Sequence, residues 1–456
     1  MSSSTALAPK VTPASDVLPT LRVGLLGCGV VGSAVARILL ERGSELSGPA
    51  GAELVLEKVA VKHLDKPRAV ALPPGVLTDD AASIVSDPSI DLIIEVIGGI
   101  EIPRSLILSA IRSGKSVVTA NKTLLAEWGE ELFAVAQNRG VDLYYEAAAC
   151  GAVPIIRALQ QSLHGDRIER FSGILNGTCN YILTHIEDEG CSFEEALADA
   201  QRFGYAESDP SADIDGSDAA AKAALLASLA FRAPYSGADV YRKGLQGLSK
   251  DDVDAARRFG FVIRSIAVGE RRENWIEVGV QPYLIADSHP LARVRDVENA
   301  VIVEAKAAGR LIFQGQGAGG DPTASAVVGD LVEAAHNRID GISRRASLKE
   351  PDPWLAVPRD IGSRSFLRFE FRFETGITPA SVTDHAVLQT PLIQILEILA
   401  ECEVGVHRSE ERVVGGRCEL SLITEITTET VLRQAMDRLS EVSLRPVTTI
   451  TVGDLV

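Results

Sequence analysis

The hexapeptide Gly27-Cys28-Gly29-Val30-Val31-Gly32 constrains the fold more than any other stretch, because of where it sits. It directly follows the apolar run Arg22–Leu26 and opens a segment whose apolar residues recur at helical spacing. Strand, glycine turn and helix in that order build the phosphate corner of a dinucleotide-binding fold. Gly27 permits the tight turn, Gly29 lets a pyrophosphate approach the backbone, and Gly32 lets the helix lie close to the sheet. The helix N-terminus, with Val30 and Val31, faces the phosphates. The next strand runs into Val61-Lys62-His63, where an NAD-selective site usually carries an acidic side chain for the ribose 2′-hydroxyl. Lys62 favours a 2′-phosphate instead, so NADP is the expected cofactor and NAD the alternative; a solvated surface lysine is the plain reading of the same residue.

From Leu21 to about Ala149, short apolar runs alternate with longer helical ones, the pattern of a parallel sheet covered on both faces. Strands are expected at Arg22–Leu26, Leu54–Lys62, Asp91–Ile97, Ser116–Ala120 and Asp142–Glu146, with helices at Gly32–Arg42, Pro103–Arg112 and Leu124–Asn138. Ligands of such sheets bind beyond the carboxyl ends of the strands. There Gly98 and Gly99 admit a nicotinamide riboside without side-chain clash, and Lys122 points a cation into the crevice or merely begins the next helix.

Beyond Gly151 the texture becomes α+β, with strands at Arg170–Leu175 and Val262–Val268 and helices at Phe193–Phe203 and Gly216–Phe231. The expected order is a tail over 1–20, a nucleotide domain over 21–150 and a catalytic and dimerisation domain over 151–320. A helical stretch over 321–344 returns to the first domain, and a charged, proline-bearing linker follows over 345–364. The remainder, 365–456, reads strand (Phe366–Glu374), helix (Leu392–Ala400), strands (Val404–Arg408, Cys418–Thr424), helix (Thr430–Leu439) and strand (Val447–Thr451). That order predicts a ferredoxin-like domain.

The formal net charge of −17 repels phosphate backbones and anionic lipid, which argues against nucleic-acid or membrane binding and for a small-molecule ligand. No apolar run is long enough to span a bilayer. The six cysteines lack CxxC spacing, and Met1 to Thr20 lacks the basic start and apolar core of a secretion signal, so a reducing, cytoplasmic setting is expected.

Chemistry concentrates between Gly204 and Lys222. Five carboxylates and one lysine precede a helix that is apolar nearly all round. A cation on a buried helix is costly unless paired. Asp218 and Lys222 are four residues apart, with the acid N-terminal to the base, the favourable order for pairing on one helix face. The bland reading is an ordinary helix salt bridge. The functional one makes Lys222 a proton donor to a carbonyl oxygen during hydride delivery, with Asp218 orienting it. Glu207 and Asp213 would then grip a substrate ammonium, and Lys122 would orient the substrate or share the proton transfer.

The glycine loop, ThrAlaAsnLys at 119–122, TyrGluAlaAla at 145–148, LeuAsnGlyThrCysAsnTyrIleLeu at 175–183, GlyTyrAlaGluSerAspPro at 204–210, AspGlySerAspAlaAlaAlaLys at 215–222 and GlyAlaGlyGlyAspProThrAlaSerAlaVal at 317–327 occur in one order. Together they closely resemble homoserine dehydrogenase over about Leu21 to Arg344. The resemblance implies reversible, NAD(P)H-dependent reduction of aspartate semialdehyde to homoserine in the pathway to threonine, methionine and isoleucine, and a homo-oligomer, dimer or tetramer. It carries the catalytic lysine onto Lys222 and substrate-site residues onto Glu207, Asp213, Asp218 and Lys122. It also implies a return to the cofactor at Gly317 and Gly319, with Thr323 and Ala324 opening the helix. A sodium-type cation is implied at Glu146 and at the backbone carbonyls of Ala149, Gly151 and Val153. Cys150, between these positions, departs from the small aliphatic residue expected there. The C-terminal layout is similar to an ACT domain, which implies either threonine as an effector or a domain that only supports oligomerisation; the loop at 375–390 is longer than that family's. A phosphorylating semialdehyde dehydrogenase, with Cys150 or Cys179 as nucleophile, and a non-enzymatic amino-acid sensor are the rival readings.

Overall fold

The computed structural model describes residues 18–272, 275–343, 362–372, 385–414 and 417–453, so most of the linker expected over 345–364, of the tail and of the loop at 375–390 lies outside the described residues. The described chain forms two compact units. The first contains 18–119, 132–144 and 327–343; the second contains 120–131, 145–326 and the described residues from 362 onward.

The first unit is built on six parallel strands, β1 (Thr20–Leu26), β2 (Glu53–Ala60), β3 (Leu77–Thr78), β4 (Leu92–Glu95), β5 (Ser116–Thr119) and β6 (Leu143–Tyr144). Their order, β3-β2-β1-β4-β5-β6, is that of the doubly wound dinucleotide fold, with the order of winding, not the strand direction, reversing between β1 and β4. Every residue of β4 and β5 is buried, which is why these strands read as continuous rather than alternating apolar runs. The helix after the glycine loop, Val30–Ala50, continues eight residues beyond the expected end at Arg42. Gly43, Gly48 and Pro49 look like breakers, but Pro49 falls in the last turn, and Gly51 closes the helix in the left-handed region with φ 66°. β3 and the helix Ala81–Ser86 were not expected, being too short to show a period. The helix Gly320–Asp340 begins at Gly320 rather than at Thr323. Its last turns join this unit, where Arg338 pairs with Asp91 at 3.0 Å and Asn337 Nδ2 donates to the Tyr144 hydroxyl at 2.7 Å.

The second unit is organised on one long sheet. Its strands are β7 (Ile168–Ile174), β8 (Tyr241–Arg242), β9 (Phe261–Arg271), β10 (Ile276–Ala286), β11 (Glu298–Ala305), β12 (Gly309–Gln316), β13 (Gly362–Arg372), β14 (Val406–Val414), β15 (Arg417–Thr424), β16 (Thr427–Thr428) and β17 (Thr448–Val452). The order is β12-β11-β7-β9-β10-β17-β13-β15-β14, with β8 added to β10 and β16 to β13. The C-terminal part, β17-β13-β15-β14 with helices His385–Glu401 and Glu429–Glu441, has the expected ferredoxin-like arrangement. Its core joins Leu367, Phe369, Ile395, Leu399, Leu422 and Leu439. β13 starts at Gly362, inside the expected linker, because Gly362 and Ser363 pair with Thr428 and Thr427.

This part is not a separate bead. β17 pairs in parallel with β10, Tyr283 beside Thr451 and Leu284 beside Val452, so the sheet runs on without a break. Phe366, Ile423, Ile450 and Val452 share an apolar core with Ile182, Ile186, Phe259, Ile263 and Leu284. Across the same boundary Arg368, 1% exposed, pairs at 2.6 Å with Asp252, 0% exposed. Arg258 bridges Glu410 and Glu419, both at 2.5 Å.

Candidate functional site

In the first unit the glycine loop has the expected form. Gly27 takes φ +98°, and a Cβ there would lie 2.7 Å from the Val96 carbonyl oxygen; one on Gly32 would lie 2.1 Å from the Gly27 oxygen. Gly29 is the N-cap of the helix that Val30 and Val31 begin, and the space where its side chain would be is open. No acidic residue occupies the first turn, so the N-terminal amides face no carboxylate of their own helix. Lys62 is exposed two residues beyond β2, and Arg68 folds the following loop back by donating to the carbonyls of His63, Leu64 and Lys66.

Gly98 and Gly99 follow β4 with positive φ, and the residue that shapes their loop is one that sequence reasoning missed. Glu95, fully buried at the end of β4, accepts hydrogen bonds from the amides of Ile97 at 2.8 Å and Gly98 at 3.4 Å, and from Thr119 Oγ1 at 2.6 Å. An acid inside the otherwise apolar run Leu92–Ile97 was the available signal.

In the second unit the helix Ser217–Phe231 carries the charged cluster. Lys222 is 9% exposed, with Nζ 2.9 Å from Asp218 Oδ2 and 2.7 Å from the Leu175 carbonyl oxygen. Lys122 Nζ lies 2.7 Å from Asp218 Oδ1, so one carboxylate is clamped between two ammonium groups. Asn176 adds a third donor to it: Nδ2 reaches Asp218 Oδ2 at 2.9 Å and Asp213 Oδ1 at 2.7 Å. Asn299 Nδ2 shares the Leu175 carbonyl with Lys222, at 3.0 Å. Sequence reasoning named neither asparagine; a short polar residue before a helix reads as a cap, and Asn176 is also that.

The electrostatics follow from this geometry. Burial pushes the Asp218 carboxyl up, but the ammonium groups of Lys222 and Lys122 outweigh it and hold the acid below the ordinary carboxylate range. Burial pulls Lys222 down, and Asp218 more than reverses it, leaving the ammonium favoured above the ordinary lysine range. Asp213 is pushed up by burial, with Asp218 adding to the effect and the Asn176 hydrogen bond opposing it.

The structure thus brings together Lys122, Asp213, Asp218 and Lys222. It does not add Glu207, which is exposed on the preceding loop with its backbone carbonyl held by Gln201 at 3.1 Å. Glu146 is buried and accepts from the amides of Ile156 at 2.8 Å and Arg157 at 2.7 Å. Ala149 lies in the short helix Ala147–Cys150 that follows it, Gly151 and Val153 come just beyond, and the Val153 carbonyl already accepts from the Ile155 amide at 2.8 Å. Gly317 lies flat on the Asn299 amide, where a Cβ would come within 2.1 Å, and Gly319 turns the chain into the helix Gly320–Asp340. Burial raises both rival nucleophiles, Cys150 to about 11 and Cys179 further, and the Cys179 thiol donates to the Asp213 carbonyl at 3.1 Å. Thiols held protonated in this way are the opposite of an activated cysteine.

Residues 154–332 match the family model described as homoserine dehydrogenase, and residues 27–146 the one described as homoserine dehydrogenase, NAD binding domain. The homoserine dehydrogenase of Corynebacterium glutamicum is 45% identical over 343 residues, covering 74% of this chain and 77% of that protein. That of Bacillus subtilis is 40% identical over 403 residues, covering 86% and 93%. Among solved structures, a homoserine dehydrogenase from Thiobacillus denitrificans aligns with a TM-score of 0.85 at 36% identity, over 96% of this chain and 100% of that one. With the nucleotide corner, the lysine–carboxylate cluster and these matches in agreement, the chain belongs to the homoserine dehydrogenase family of NAD(P)-dependent oxidoreductases.

Proposed function

We propose that Lys222 donates the proton to the carbonyl oxygen when aspartate semialdehyde is reduced to homoserine, and accepts it in the reverse direction. One observation carries this reading: Nζ is buried, two of its hydrogens are engaged by Asp218 and the Leu175 carbonyl, and among the described residues none takes the third, which is left for a substrate oxygen. A bound nicotinamide cofactor supplies the hydride in one direction and takes it in the other. Asp218 orients Lys222 and keeps it charged. Lys122, on the other oxygen of Asp218 and partly exposed, orients the substrate or shares the proton transfer. Asp213 and Glu207 take the ammonium group of the amino-acid substrate; Glu207 sits on an exposed loop and reaches it only if that loop folds inward.

The open Gly29 cradle fits a pyrophosphate. The cofactor is assigned to Gly27, Gly29, Val30, Val31, Gly32, Gly98, Lys122, Gly317 and Gly319, with Lys62 on a 2′-phosphate. Addition of aspartate semialdehyde to enzyme and NADPH is expected to consume NADPH faster than NADH. Lys62→Glu should reduce that preference about tenfold or more, the value of one lost charge-assisted phosphate contact; an unchanged preference removes Lys62 from the site.

A monovalent cation such as sodium fits the donor chemistry at Glu146 and the carbonyls of Ala149, Gly151 and Val153, because the set is all oxygen and hard cations prefer oxygen. The enzyme works in the cytoplasm as a homo-oligomer, dimer or tetramer. Its C-terminal ferredoxin-like part takes threonine as an effector. Turnover of the full chain should fall as threonine is added, and a flat titration rejects the effector.

A further inference from the structure

We propose that Asn176 is a positioning residue for the reaction: its side-chain amide ties Asp213 to Asp218 and fixes the Asp218 oxygen that receives Lys222. This deepens the assignment of Lys222 and Asp218 above and rests on it.

Asn176 is buried at the turn between β7 and the helix Gly177–Glu189. Its Oδ1 accepts from the Cys179 amide at 2.7 Å, which settles which end of the side chain is oxygen and leaves the NH2 facing the carboxylates. Both hydrogens of that NH2 are used, one on Asp213 Oδ1 at 2.7 Å and one on Asp218 Oδ2 at 2.9 Å. The same Asp218 oxygen lies 2.9 Å from Lys222 Nζ, and the other oxygen lies 2.7 Å from Lys122. With amide and ammonium on one oxygen and a second ammonium on the other, the carboxylate cannot rotate without breaking a charge-assisted bond.

The amide also separates two like charges. Asp213 faces Asp218 and Lys222 from the helix Ser217–Phe231, Thr178 and Cys179 from the helix Gly177–Glu189, and Lys122 beyond Asp218. Without a donor between them, two carboxylates withdrawn from water, Asp218 nearly fully and Asp213 in part, favour sharing a proton. A protonated Asp213 loses its grip on a cationic substrate, and a turned Asp218 no longer aims Lys222. One small neutral side chain therefore serves substrate binding and proton transfer together.

The competing explanation is that Asn176 only caps its helix. Serine and aspartate cap as well as asparagine does, so Asn176→Ser and Asn176→Asp keep the cap, and each removes the bridging NH2. The measurements are kcat and KM for homoserine and for NADP across pH, beside Tm. Asn176→Ser should lower kcat about tenfold, the value of one hydrogen bond to a charged group, and raise KM for homoserine but not for NADP. Its acidic limb of kcat/KM should move to higher pH, because losing the donor lets Asp213 take up a proton earlier. Asn176→Asp, which adds a third anion, should lose about 100-fold or more. Tm should stay within a few degrees of the parent in both. A parent-like kcat and pH profile in Asn176→Ser overturns the proposal, and so does a loss of activity matched by loss of folded protein in both variants. Lys222→Met, assayed alongside, separates the two levels. If it is active, the underlying assignment fails; if it is inactive while Asn176→Ser behaves as the parent, only this inference fails.

Discussion

Lys222→Met should lower turnover by about 10²- to 10⁴-fold, the range that a positioned general acid or base supplies, while the affinity for NADPH is expected to be retained. The substitution removes the ammonium from a helix face that already packs apolar groups, and methionine nearly fills the volume. Asp218 keeps Lys122 at 2.7 Å and the Asn176 amide at 2.9 Å, so it is not stranded. The glycine loop lies in the other compact unit and is untouched. Stopped-flow turnover beside fluorescence titration of NADPH measures both quantities, and a variant that keeps turnover removes Lys222 from the mechanism. The pH dependence has a definite sign. Because Lys222 is raised above the ordinary lysine range, the charged acid needed for reduction persists through neutral pH and is lost only at strongly alkaline pH. With Lys222 as the proposed base, oxidation of homoserine should climb with pH over the alkaline range. The pair's contribution to stability has two limits: it is lost at low pH as Asp218, depressed, becomes protonated, and at high pH as Lys222 deprotonates.

Arg368→Ala should destabilise the protein by about 3–5 kcal/mol, the cost of leaving one partner of a buried ion pair unpaired. Arg368 and Asp252 are almost inaccessible, and Arg368 additionally bonds Glu370, so removing the guanidinium strands a carboxylate inside the protein. Asp252 also receives the Ser249 hydroxyl at 2.7 Å, which softens the penalty without cancelling it. The double substitution Arg368→Met with Asp252→Leu should recover most of the loss, because the stranded charge is gone. Chemical denaturation of the three proteins reads the outcome. A single variant as stable as the parent would mean that the boundary between the C-terminal part and the rest is wetter than the structure has it.

Much of the nucleotide corner could be read from the sequence because its requirements are local: a strand, three glycines at fixed offsets and a helix all fall within one short segment. The Asp218–Lys222 pair was legible for the same reason, since four-residue spacing fixes a shared helix face. The partners brought from far along the chain were not. Lys122 was expected in the crevice, yet nothing in its neighbourhood announces that it meets Asp218. Asn176 and Glu95 use side chains whose local role, a cap or a strand end, conceals their tertiary one. β10, β11 and β12 were missed as elements because their alternation is blurred where both faces are covered or where the strand lies at an edge. The ferredoxin-like order was visible, but its fusion to β10 was not, because pairing between strands so far apart in sequence leaves no periodic mark.

That fusion restricts how a signal could travel. With Thr451 and Val452 of β17 paired to Tyr283 and Leu284 of β10, the C-terminal part cannot swing away or slide by a residue without breaking that pairing. β9 and β10 are the strands against which the helix carrying Lys222 packs. Deleting the C-terminal part would therefore lay open the edge of β10, a strand against which the helix carrying Lys222 packs.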